Sequence, residues 1–101
     1  MSEIRALLVQ LVSGVLMDKF KIELNGTEKR LLEKTEHAYF HSALWSVLAN
    51  YGYRFVEKIP QDVDQFVKDV NDIAEIINSM ESHGMEVNAE YVEQWFANLG
   101  Y

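Results

Sequence analysis

A chain of 101 residues makes one domain, residues 1–101, and can bury a core without disulfide or metal. With 49% hydrophobic and 25% charged residues the composition is that of a globular protein, which excludes a low-hydropathy disordered chain. The absence of cysteine excludes a disulfide framework, thiolate catalysis and thiolate metal sites, and fits a cytoplasmic protein.

The net charge of −7 is unevenly placed. Residues 1–58 hold eight basic and seven acidic side chains, a balance of +1; residues 59–101 hold one basic side chain, Lys68, and nine acidic ones, a balance of −8. Nucleic-acid binding is dominated by Lys and Arg contacts to phosphate, so the C-terminal half is a poor nucleic-acid surface and a good one for a basic protein. Lys19, Lys21, Lys29 and Arg30 form the one small basic patch.

Ile4, Leu7, Leu8, Leu11, Val12, Val15 and Leu16 follow the helical period, which predicts a first helix over about 3–18. Arg5 ahead of the apolar run Ala6 to Met17 has signal-peptide proportions. Glu3 and the lack of a small-x-small site argue against that reading, and the run is too short to span a bilayer. This helix is apolar around most of its circumference, with Ser13 and Gly14 small enough for close approach. That surplus predicts a homodimer through the first helix.

Lys19 to Leu24 alternates apolar and charged residues, and Tyr53, Arg54, Phe55 and Val56 after Gly52 favour extended structure. Together they predict a short two-stranded ribbon from 19–24 and 53–58. Asn25-Gly26 is a turn, and Thr27 is the expected cap of a second helix over about 27–51 that ends at Gly52. Its first half is polar; its second half, with Tyr39, Phe40, Leu44, Val47 and Leu48, calls for deep packing.

A third helix over about 60–83 has the clearest pattern. Val63, Phe66, Val70, Ile73, Ile77 and Met80 alternate as an a/d seam, widened by Val67, Ala74 and Ile76. Pro60 suits its first position, and Asp62 and Asp64 favour its positive end. Gly84 is placed to close it in a left-handed turn, with Met85 folded back on Met80. Asn88 caps a last helix over about 88–99, stapled by Val87 and Val92, with Tyr91, Val92, Trp95, Phe96 and Leu99 on one face. The expected fold is an all-α four-helix domain.

Chemistry has few candidates. Glu33, His37 and His41 recur every four residues, a spacing at which one helical face can offer a carboxylate and two imidazoles to a metal. The HExxH order is absent, so these are weak candidates. The paired carboxylates Glu33/Glu36 and Asp69/Asp72 would hold Mg²⁺ only with a phosphate-bearing substrate, and no basic cluster flanks Asp69 and Asp72 to hold one. No Gly-rich phosphate loop and no nucleophile–base set is present.

The expectation is a non-enzymatic, acidic interaction module or inhibitor without a cofactor. It would bind a basic partner through Asp62, Asp69, Asp72 and Glu75, with Trp45 and Trp95 as aromatic anchors. Immunity proteins, antitoxins and phage-encoded inhibitors are like it in size and composition. The alternatives are an all-α metal- or nucleotide-dependent enzyme built on Glu33, His37 and His41 or the paired carboxylates, and a structural subunit of a larger assembly.

Overall fold

The computed structural model describes residues 3–52 and 61–101, and every regular element among them is helical. The helices are α1 (Glu3–Phe20), α2 (Gly26–Lys34), α3 (Phe40–Ala49), α4 (Gln61–Ser82) and α5 (Ala89–Asn98), with a 3₁₀ turn at His37–Tyr39 before α3. Among the described residues no helix is long and apolar enough to cross a membrane.

α1 lies at the centre, packed on α2, α4 and α5. Leu8, Val9, Val12 and Leu16 are buried along one stripe, and Ile4, Leu7, Leu11 and Val15 pack against the core from its flanks. The all-round apolar character of this helix is therefore spent largely inside the domain. Gly14 is exposed, and a Cβ added there meets nothing within 4 Å. A mid-helix Gly in open space costs backbone entropy for no packing return. Gly14→Ala should raise stability by about 0.5–1 kcal/mol, read as an increase in Tm. A decrease would mean that another backbone lies against this position.

Residues 19–24 do not form the strand expected of them. Lys19 and Phe20 close α1, and Lys21 adopts a left-handed φ of 57°. The Ile22 N–H then donates back to the Leu16 carbonyl at 3.0 Å. Ile22 and Leu24 are buried while Lys21 and Glu23 are exposed. The alternation is real, but it serves an irregular connection laid on the core. The other half of the ribbon, 53–58, and Pro60 lie outside the described residues.

The single helix expected over 27–51 is two helices. Asn25, not Thr27, is the cap, in a reciprocal box with Glu28: Asn25 Oδ1 accepts from the Glu28 N–H at 2.8 Å, and Glu28 Oε1 accepts from the Asn25 N–H at 3.0 Å. α2 stops where Thr35 turns extended, with ψ at 135°. The Thr35 hydroxyl donates to the Leu31 carbonyl at 2.5 Å. Arg5 reaches over from α1 and donates to the carbonyls of Leu32 and Thr35 at 3.3 and 2.8 Å, satisfying acceptors that the break releases. A straight helix at about 100° per residue would spread Leu32, Phe40, Leu44 and Leu48 over roughly 160° of its surface. The break re-aims α3, and all four are at most 1% exposed. Tyr39, grouped with them by sequence, is 63% exposed on the 3₁₀ turn.

α4 follows its pattern closely. Val63, Phe66, Val67, Val70, Ile73, Ala74 and Ile77 are buried, whereas Ile76 faces outward. Gly84 closes the helix at φ 73°, its N–H donating to Glu81 and the Met85 N–H to Met80, the two bonds of a Schellman turn. Gly84→Ala should cost about 1 kcal/mol or more, because a Cβ is strained at that φ. An unchanged melting point would show that the α4–α5 joint tolerates another geometry.

Candidate functional site

α4 and α5 each carry more apolar surface than the core absorbs. On α5, Val92 and Phe96 are buried, Trp95 is half-buried, and Tyr91 and Leu99 stand exposed. The face that the sequence offered as one stripe is thus divided between core and surface. On α4, Ile73 is buried and Ile76 is 44% exposed beside it. Together Ile73, Ile76, Trp95 and Leu99 line a groove of about 260 Å³ whose remaining walls are Asp69, Asp72 and Asn98. The Tyr91 and Trp95 rings stack at 6.4 Å, extending the apolar surface along α5.

Tyr101 fixes the spacing of the two walls. Its hydroxyl donates to Asp69 Oδ2 at 2.6 Å, and its ring meets Phe66 at 5.2 Å and Phe96 at 6.2 Å. Lys19 of α1 sits 4.9 Å over that ring and donates to the Gly100 carbonyl at 3.0 Å. Burial first, and then the bond to Asp69, push the Tyr101 phenol well above its ordinary pKa, so it stays a donor. The other Asp69 oxygen accepts from Gln65 at 3.0 Å.

Of the six residues expected to meet a partner, Asp69, Asp72 and Trp95 come together in this groove. Asp69 is also a structural fastener, a role its sequence position did not signal. Asp62 lines a different hollow, with Lys19, Phe20, Gln65 and Tyr101. Glu75 is exposed outside the groove and accepts from Asn71 at 3.5 Å. Trp45 is on α3, where its indole donates to His41 Nε2 at 3.2 Å. The sequence missed Ile76 and Leu99 as groove residues, because helical periodicity assigns both to the core stripe.

Glu33, His37 and His41 lose the single helical face that made them a metal candidate. Glu33 belongs to α2, His37 to the 3₁₀ turn and His41 to α3. Among the described residues no group of three or more His, Asp or Glu side chains is placed to hold a metal ion. Glu33 and His37 instead line a hollow of about 160 Å³ of mixed polar and apolar character, with Arg5, Leu8, Ile77 and Glu81. Arg5 also lies 4.7 Å over the Phe40 ring.

Glu28 is the one buried charged side chain among the described residues. Besides the capping box it accepts from the Tyr51 hydroxyl at 2.5 Å and from Asn50 Nδ2 at 3.1 Å. Burial pushes its carboxyl up, but the bonds from Tyr51, Asn25 and Asn50 outweigh this and hold it below its ordinary pKa. The same Glu28 bond, with burial, drives Tyr51 up to about 12. All these bonds close within the domain, so this network is structural.

Two pH limbs follow. A depressed carboxyl gives stability that is present above its unfolded pKa and lost as pH falls through the folded value. A raised phenol gives stability that is present below about pH 10 and lost as pH rises toward about 12. Tyr51→Phe should flatten the alkaline limb of Tm against pH, and Glu28→Gln the acid limb. An unaltered profile in both would detach this network from the pH dependence.

Compared with protein-family models, with curated proteins and with solved structures, the chain matches none of them.

Proposed function

We propose that the protein is a small acidic interaction module whose α4–α5 groove receives an apolar side chain flanked by basic ones on a partner protein. The observation that carries this reading is the groove: apolar floor and sides from Ile73, Ile76, Trp95 and Leu99, with carboxylates at Asp69 and Asp72. Apolar anchors supply affinity, and complementary charge supplies orientation and association rate. The half-buried Trp95 belongs to a residue type enriched in binding hot spots.

The acidic half does not act as a uniform surface in this reading. Asp72 is the steering carboxylate, since Asp69 is held by Tyr101 and Gln65. Asp62 and Glu75 contribute only to the field around the site. This reading does not need the two-fold contact through α1, whose Ile4, Leu7, Leu11 and Val15 pack against the core.

The test uses the whole chain and two synthetic amphipathic helical peptides, one pairing leucines with lysines and one pairing leucines with glutamates. Trp95 fluorescence is followed in a Trp45→Phe background. The lysine peptide should bind, and Asp72→Lys and Ile76→Asp should each weaken it about tenfold or more. Binding that ignores both substitutions, or that does not distinguish the peptides, would remove the groove from the function.

A further inference from the structure

The groove calls for an exposed apolar side chain set among cations on a helix, and this chain carries one. On α2, Leu31 is 50% exposed. Arg30 and Lys34 are exposed beside it, and Thr27 lies one turn away on the same face. A Leu left half in water on a nine-residue helix, with two cations along one flank, has the chemistry that Ile76, Leu99 and Asp72 are arranged to accept.

The two surfaces cannot meet within one molecule. α2 packs on α1 and α3. α4 turns Ala74, Ile77, Asn78 and Glu81 toward the hollow beside the end of α2, and Asp69, Asp72, Ile73 and Ile76 toward the groove. At about 100° per residue the centres of these two sets lie roughly 140° apart around the helix. The groove therefore points away from the α2 of its own chain.

We infer that the occupant of the groove is a second copy of this chain, which inserts Leu31 between Ile76 and Leu99 and sets Arg30 and Lys34 toward Asp72. This rests on the groove reading above and deepens it by naming the partner. The contact is head-to-tail: each copy offers one groove and one α2 face. Such a contact generates a ring if the rotation closes and a linear assembly if it does not. The charge division of the sequence, +1 in residues 1–58 and −8 in residues 59–101, favours that polarity over a two-fold pairing of like halves.

Complementary defects give the decisive experiment. Leu31→Asp removes the insert and leaves the groove; Ile76→Asp removes the groove and leaves the insert. Both positions are surface-exposed, and circular dichroism checks that each variant keeps its fold. By sedimentation velocity the unaltered chain should associate with rising concentration, and the association should weaken as salt is added. Each variant alone should be monomeric. Their equimolar mixture should form a 1:1 complex that goes no further, because one intact insert meets one intact groove.

A wild-type chain that stays monomeric up to about 1 mM, a concentration that would reveal contacts with millimolar Kd, overturns the self-association. If the lysine peptide still binds under those conditions, the groove reading survives with a foreign occupant; if it does not, both fall. A wild-type oligomer untouched by either substitution, or variants that fail to complement, would place the interface elsewhere and overturn the inference.

Discussion

Val12→Glu is expected to abolish the folded state. Val12 is fully buried on the inner stripe of α1, the helix on which α2, α4 and α5 all pack. An unpaired carboxylate there costs several kcal/mol in desolvation, on top of the lost apolar packing. A domain of this size has about 5–15 kcal/mol in hand. Circular dichroism should therefore show no cooperative melt. A variant that keeps its helical content and melts normally would put Val12 on an outer face and return α1 to the role of a two-fold interface.

Phe40→Ala is expected to destabilise by about 3–5 kcal/mol, read as a fall in the urea midpoint at constant m. Phe40 is fully buried and opens α3 directly after the break that separates it from α2. Its ring also carries the Arg5 guanidinium, which takes the carbonyls at the end of α2. The substitution thus empties a core site and removes the face on which the capping cation rests. In a double-mutant cycle, Arg5→Met and Phe40→Ala should couple by about 0.5–1 kcal/mol. A loss below about 1 kcal/mol for Phe40→Ala would show that the α2–α3 turn is anchored elsewhere.

The ends of helices were legible where a residue type has one conformational use. Gly84 and Asn88 stand where expected, in a left-handed turn and an N-cap, because each supplies what the neighbouring backbone lacks. The α4 seam was legible because its heptad spacing admits one buried face. The break at Thr35 was not, since the local sequence there contains neither Gly nor Pro. What supports it is a guanidinium from α1, some 30 residues away, and a single-window periodicity carries no trace of such a contact. The change from polar to apolar along 27–51 was its only sign. Asn25-x-x-Glu28 has capping-box spacing and was readable, though Thr27 drew the cap two residues too late. In the groove, the acids and Trp95 were legible by type. Ile76 and Leu99 were not, because period alone cannot say that a stripe is wider than the core beneath it.

The fastening of Tyr101 has a consequence for when the groove exists. Asp69 and Tyr101 are 32 residues apart, and the bond from Lys19 to the Gly100 carbonyl spans 81. Closing such long loops costs entropy that only the assembled core offsets, so these contacts are expected late in folding. α5 is the last of the five helices among the described residues, and one wall of the groove belongs to it. A chain emerging from the ribosome therefore displays Leu31 and its cations long before it has a groove. In the self-association proposed above, a nascent chain would offer its insert to folded molecules before it could receive one, because Tyr101 must be made first.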